Sequence, residues 1–297
     1  VESAGTGEVL FTGSVSRKAF GWLADHVVQD IVLLPGTAMV DWALTAGQHL
    51  GCPHLAELTL EAPLTLPERG AVTVQVAVGP DGEDGRRPVT LSSRHAGEPW
   101  TRHATGSLAP AVTAPAEAPP TWPPAGALST WPPAGADEVP GLYADLTGRG
   151  YGYGPAFQGA QRVWRRGDEV FSEVVVPEAA RGAGFTVHPV LLDAALHGAG
   201  AGLSGDQPAL VPFAFHGVTV PGSCPDNVRV RLRRTGEQSV EVLLFTADRV
   251  VAVIEQLVVR AVSANALRQA AVRDALFEVV WEELAASVER LAPGSVV

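Results

Sequence analysis

The sequence predicts an α+β fold built from two similar halves, and three of its features carry that prediction. Each half contains an apolar helix that opens at a proline, at Pro35-Gly36 and at Pro189. Segments with period-two alternation lie in both halves, as in AVTVQVAV (Ala71 to Val78) and NVRVRLRRTG (Asn227 to Gly236), and read as half-buried strands. Between the halves lies a tract of Ala, Pro, Thr and Gly in which TWPPAGA occurs twice, at Thr121 and Thr130. So many prolines suit neither a ladder nor a helix, and the tract reads as a semi-rigid linker.

Along the first half, EVLFTGSV (Glu8 to Val15) and HLAELTLEAPLTL (His54 to Leu66) have strand-like composition. The helix from Gly36 to Leu50 ends at Gly51, a residue suited to the left-handed C-terminal cap. After AVTVQVAV, Pro80-Asp81-Gly82 marks a turn, and VTLSSRH and WTRHATGSLA return as strands. The expected result is a sheet curled around one helix.

The second half restarts the pattern. A short helix (Leu142 to Arg149) leads into a Gly-Tyr-Pro segment, DEVFSEVVVPE reads as a strand, and the helix after His188-Pro189 follows. NVRVRLRRTG and SVEVLLFTADRVVAVIEQLVVRAV supply the remaining strands, with turns around Arg234-Thr235-Gly236 and Ala247-Asp248. The chain therefore divides into 1–110, a linker 111–140, a second unit 141–264 and a polar, helix-prone tail 265–297.

Charge and composition exclude several classes of function. A formal charge of −11 argues against a general nucleic-acid binder, which needs a basic face to displace phosphate counterions. No run is long and apolar enough to span a membrane, and no signal peptide heads the chain. It begins with Val, so an excised piece of a longer protein is expected. Cys52 and Cys224 show neither C-x-x-C spacing nor a neighbouring His cluster, and read as thiols in a reducing, cytoplasmic setting. His49, His54, His95, His103 and His216 lack metal-ligand spacing, and no phosphate-binding or dinucleotide-binding glycine motif is present. The pair Arg165-Arg166 beside Trp164 could face an acidic partner but reads as solvated surface.

Two stretches carry chemistry. In WLADHVVQDIVLLPGTAMVDWALTAGQHL (Trp22 to Leu50), His26 stands before an apolar run that Pro35-Gly36 converts into a helix start. Unpaired N–H groups at such a start attract an oxygen bearing negative charge. In FTVHPVLLDAALHGAG (Phe185 to Gly200), Asp193 sits within an apolar helix face, with His197 one turn later. A carboxyl group so placed needs a partner or holds its proton, and Asp193 and His197 could equally form a structural pair.

The pattern of His26 with Pro35-Gly36, then Gly150-Tyr151-Gly152-Tyr153-Gly154-Pro155-Ala156-Phe157-Gln158-Gly159, then His188-Pro189 with Asp193 and His197, resembles the dehydratase domain of modular type I polyketide synthases. Leu210 to Val220 (LVPFAFHGVTV) adds to the likeness, and ALFEVVWEEL (Ala275 to Leu284) resembles the segment leading to the next synthase domain. One departure is Asp30, where the family has Gly.

The resemblance implies a double hotdog, two helix-wrapping antiparallel sheets side by side. It also implies dehydration of a 3-hydroxyacyl thioester to a 2,3-enoyl thioester, with the substrate on the phosphopantetheine of an acyl carrier protein. His26 would be the general base, Asp193 the general acid with a raised pKa, and the N–H groups at the start of the helix that Pro35-Gly36 opens, above all that of Gly36, the oxyanion donors. Tyr153 and Gly154 would contact substrate, His197 would orient Asp193, and Gln158 is a weaker candidate. No cofactor and no metal are expected. The implied partners are the carrier protein, neighbouring synthase domains and a second copy of the chain. The same residues would equally serve double-bond isomerisation or closure of an oxygen-containing ring, and a non-catalytic vestigial domain is the remaining alternative. At Asp30, a side chain tolerant of left-handed geometry would spare activity, whereas a carboxylate near His26 would raise its pKa.

Overall fold

A computed structural model describes residues 7–111, 130–200 and 209–262, together with Asn265 and Leu267. The first half contains β1 (Val9–Val15), β2 (Val27–Val28), β3 (Ile31–Val32), α1 (Gly36–His49), β4 (His54–Leu60), β5 (Val72–Val78), β6 (Arg87–Arg94) and β7 (Thr101–Ala109). The second contains β8 (Asp137–Glu138), α2 (Leu142–Gly148), β9 (Ala160–Arg166), β10 (Glu169–Val175), α3 (Pro189–His197), β11 (Leu210–Thr219), β12 (Asn227–Gly236), β13 (Ser239–Phe245) and β14 (Val250–Ala261).

Twelve of these strands form one antiparallel sheet in the order β1-β5-β6-β7-β4-β11-β14-β13-β12-β10-β9-β8. The alternation in β5 is realised residue by residue, with Val72, Val74, Val76 and Val78 buried and the residues between them half-buried. The first five strands in that order curl around α1, which packs on β4, β5, β6 and β7. The other seven curl around α3, which packs on β9, β10 and β12. This is the double-hotdog arrangement, an α+β fold.

The join between the halves is β4 against β11, where Leu58 pairs with Phe215 and Leu55 with Val218. The helices meet beneath that join: Thr37 Oγ1 donates to the Pro189 carbonyl at 2.9 Å. Asp41 of α1 accepts the N–H groups of Thr186 and Val187 at 2.8 and 3.1 Å, which fixes the entry to α3.

The expected strand from His54 to Leu66 stops at Leu60. Pro63 cannot donate to a ladder, and the following residues leave β7 to pair with the segment before α1, through Leu34 N to Leu64 O at 2.8 Å and Leu66 N to Val32 O at 3.2 Å. Trp131, in the second TWPPAGA copy, packs edge-on against Trp164, Phe171 and Phe245. The first copy and ALFEVVWEEL lie outside the described residues. Among the described residues no helix is long and apolar enough to cross a membrane.

Candidate active site

His26 closes a short 3-10 turn (Gly21–Asp25) and precedes the β2–β3 hairpin. The hairpin returns Leu33 beside it, so that Nδ1–H donates to the Leu33 carbonyl at 2.9 Å and Leu33 N–H donates to the His26 carbonyl at 3.1 Å. A two-residue loop of this kind needs left-handed backbone, supplied by Gln29 (φ 51°) and Asp30 (φ 65°). Asp30 thus occupies a position that favours glycine, and its exposed side chain is not among the groups that act on His26. With Nδ1 committed to Leu33, the Nε2 lone pair of neutral His26 faces the cleft.

Asp193 arrives from the other half. His188 caps α3 by accepting the Val190 N–H on Nδ1 at 3.2 Å, while its Nε2–H donates to the Ala180 carbonyl at 2.9 Å. Pro189 then takes the first helical position, which costs no hydrogen bond. One turn on, Asp193 Oδ2 lies 2.9 Å from His197 Nε2 and 3.8 Å from His26 Nε2. All three side chains are buried.

Two chambers meet at this point and share Tyr151, Tyr153, Asp193, Leu210 and Pro212 in their walls. One, of about 910 Å³, also holds His26, Gly36, Met39, Leu60, Phe213 and Arg260. The other, of about 850 Å³, holds His197, Leu196, Ala199, Val240 and Leu257, and ends at the exposed β12–β13 hairpin with Arg234 and Gln238. Gly36 is the first residue of α1, where the backbone N–H has no partner in a preceding turn, and it lines the first chamber. Pro35 is buried and serves as the cap, its carbonyl accepting Ala38 N–H at 3.0 Å.

The Gly-Tyr-Pro segment is stitched to the His26 hairpin. Gln29 N–H donates to Gly150 O at 2.7 Å, Gly152 N–H to Val27 O at 2.9 Å, and Gly154 N–H to Asp25 O at 2.9 Å. Tyr153 stacks on His197, with ring centroids 4.1 Å apart, and lies 5.6 Å from the His26 ring. Gly154 sits against Asp25 and appears in neither chamber wall: a Cβ there would stand 2.4 Å from the Asp25 carboxyl carbon. That close approach lets Asp25 accept the Ala156 N–H at 2.8 Å, one residue before His26. Gln158 is exposed and donates to the Tyr153 carbonyl at 2.8 Å, so it holds the loop.

Burial pushes the His26 imidazole below its ordinary 6.5, against the opposing pull of the Asp193 carboxylate, and neutral imidazole is the resting form. For Asp193 the expectation of a raised pKa is not met. Burial pushes the carboxyl up, but the positive charge available on His26 and the hydrogen bond from His197 outweigh it and hold the group below its ordinary 3.8. The apolar face of α3 and His197 one turn on are visible in the sequence, whereas the approach of the His26 imidazole from the other half is not. Burial likewise keeps the Tyr153 phenol well above 10 and therefore uncharged.

Two supporting residues escaped the motif reading. Asp25 is the carboxylate that locks the segment carrying Tyr153 onto the turn carrying His26. Tyr143, on α2, reaches His197 from the side away from Asp193. Neither belongs to a chemical spacing pattern, although Asp25 directly precedes His26.

A family model described as the polyketide synthase dehydratase domain matches residues 1–94, and one described as the polyketide synthase dehydratase N-terminal domain matches residues 123–269. Polyketide synthase GfsA of Streptomyces halstedii is 50% identical over 289 residues, a stretch covering 93% of this chain and 4% of that protein. A solved structure from work on dehydratase substrate selection for the borrelidin and fluvirucin polyketide synthases is 43% identical with a TM-score of 0.79, covering 89% of this chain and 93% of that one. The bifunctional dehydratase-cyclase domain of ambruticin biosynthesis is 35% identical with a TM-score of 0.80, covering 91% of this chain and 96% of that one. Motifs in order, a double-hotdog sheet and these likenesses agree, and the chain belongs to the dehydratase domains of modular polyketide synthases.

Proposed function

We propose that the chain eliminates water from a 3-hydroxyacyl thioester, held on the phosphopantetheine of an acyl carrier protein, to give a 2,3-enoyl thioester. The observation that carries this reading is the 3.8 Å approach of His26 Nε2 and Asp193 Oδ2 at the junction of two chambers. The order of atoms in such a substrate matches the order of residues. Its thioester carbonyl belongs beside the Gly36 N–H, its C2 hydrogen in front of His26, and its 3-hydroxyl at Asp193. The rest of the acyl chain then passes Tyr153 into the chamber lined by Leu196, Val240 and Leu257.

His26 removes the C2 proton. Negative charge develops on the thioester oxygen, where a preorganised N–H is worth roughly 3 kcal/mol. Asp193 protonates the departing hydroxyl, and the C3–O bond breaks as the double bond forms. His26 ends with one proton more and Asp193 with one fewer, so transfer between them across the cleft resets the pair. No electrons enter or leave, and the reaction calls for no redox group.

The free carboxyl is ionised and neutral His26 carries no proton on Nε2, so the acid proton is taken up from solvent as substrate binds. Substrate dries the cleft and separates Asp193 from the imidazole that holds its pKa down. Burial, which pushes it up, then dominates.

The carrier protein and neighbouring synthase domains are the partners that go with this reading. A second use of the site is supported by the likeness to the dehydratase-cyclase: the enoyl product could accept an internal hydroxyl at C3 and close a ring.

The test is chromatography with mass detection of pantetheine thioesters of each 3-hydroxyacyl stereoisomer after incubation with the chain. Loss of one water from one hydroxyl configuration supports the reading. A product of the same mass that separates from the linear enoyl standard would assign ring closure, and no loss from any isomer by folded protein would contradict both.

A further inference from the structure

Tyr143 Oη stands 3.3 Å from His197 Nδ1. The same oxygen accepts the Ala160 N–H at 2.8 Å and lies 3.4 Å from the Phe157 carbonyl. The His197 ring is held on two sides, with Tyr153 stacked on its face and Tyr143 meeting it edge-on at 88°. Its orientation is therefore set, and only the placement of its protons is open.

An ionised carboxylate can only accept hydrogen bonds, so the 2.9 Å contact with Asp193 Oδ2 requires a hydrogen on His197 Nε2. In neutral imidazole Nδ1 must then accept. His197 is 5% exposed, and a lone pair stranded there would go unsatisfied. Among the described residues, the Tyr143 hydroxyl is the donor placed at that nitrogen. Donation to Phe157 instead would leave Nδ1 without a partner.

We infer that Tyr143 is a positioning residue, whose hydroxyl donates to Nδ1 of neutral His197 and so fixes Nε2 as the N–H donor to Asp193. The opposite tautomer would turn a lone pair toward Oδ2, and the contact would open or Asp193 would take up a proton. With the tautomer fixed, the Nε2–H of His197 stays on the imidazole, and the acid proton reaches Asp193 from the cleft side, taken up from solvent as substrate binds and returned by protonated His26 after each turnover. The groups facing His197 are Tyr143 from α2, Tyr153 from the glycine-rich segment, Asp193 from α3 and His26 from the first half. Its catalytic consequence rests on the dehydratase reading, whereas the bonding pattern does not.

The test combines a spectroscopic and a kinetic readout. Nitrogen NMR of the native chain labelled at histidine, with His197→Gln identifying the resonances, should show His197 protonated at Nε2 alone, and Tyr143→Phe should add the Nδ1–H form. Tyr143→Phe should lower kcat about tenfold in the native chain but less than twofold in the His197→Gln background, because an amide donor has no tautomer to lose. Equal losses in both backgrounds would mean that Tyr143 matters only through its Ala160 contact, and would overturn the inference. A native His197 protonated at Nδ1, or at both nitrogens, would overturn it as well. The NMR result stands even if the chain proves inactive as a dehydratase, so the two readings fail separately.

Discussion

His26 Nε2 and Asp193 Oδ2 stand 3.8 Å apart although they hang from opposite halves of the sheet, each fixed by its own local device. On one side the device is the β2–β3 hairpin, which aims Nδ1 at Leu33; on the other it is a proline-started helix capped by His188. The halves are tied together where α1 bonds to α3 through Thr37 and to the segment entering α3 through Asp41. Several measurements check what this arrangement should do.

The pH dependence of kcat/KM reports the free pair. Both groups are lowered, so at neutral pH the pair holds a neutral imidazole and a carboxylate, one proton short of the reactive form. Above the lowered imidazole value kcat/KM should fall by roughly tenfold per pH unit, and it should fall again in acid when a second proton fills the base. A profile that rises through neutral pH would contradict the assignment.

Asp41 gives a stability prediction whose sign is set by its raised pKa, which burial lifts from 3.8 to about 6. A carboxyl raised on folding contributes stability that is complete below pH 3.8 and lost as pH rises through about 6. The loss is roughly 3 kcal/mol. Asp41→Asn keeps an acceptor oxygen for Thr186 and Val187 but does not ionise, so its stability relative to the native chain should grow between pH 4 and 7 in denaturant titrations. A constant difference would show that Asp41 does not ionise in this window.

Gly36→Ala tests the first chamber. The new Cβ would stand 2.7 Å from Leu60 Cδ1, the end of a side chain that also lines the chamber. Leu60 can yield only into that space. The variant should fold with a melting temperature near the native one while kcat/KM drops about tenfold, in line with a misplacement of substrate by about half an ångström. Unchanged kcat/KM would remove Gly36 from the substrate path.

Asp30→Gly addresses the departure from the family. At φ 65° a glycine carries no steric cost, so the variant should gain up to about 1 kcal/mol in thermal unfolding with kcat unchanged. A large change in kcat would mean that the carboxylate reaches the reacting groups after all.

Much of this architecture could be read from residue order. Pro35-Gly36 and His188-Pro189 marked both helix starts, because proline at a first turn is a local signal that packing does not override. Period-two alternation located β5, β12 and β13. The joining strand β11 gave no comparable signal: Pro212 and a register shift interrupt it, and its role depends on pairing with β4 and β14, far away in sequence.

The site divides in the same way. His26, Asp193 and His197 stand out by residue type and spacing. The direction of the Asp193 shift does not, since it depends on His26 folding against α3 from the other half. Gly154 drew notice as a substrate contact, whereas its lack of a side chain makes room for Asp25. Tyr143 sits in an ordinary helix and acquires a role only when the fold brings its hydroxyl to His197.

Mass spectrometry of a 3-hydroxyacyl carrier-protein thioester, incubated in parallel with the native chain, His26→Ala and Asp193→Asn, reads the acid and base roles of the pair. Loss of one water is expected with the native chain, and at least a hundredfold slower loss with each folded variant, the usual scale of a positioned acid or base. Water loss at native rate by either folded variant, or none by the native chain with a substrate of either hydroxyl configuration, would contradict those roles.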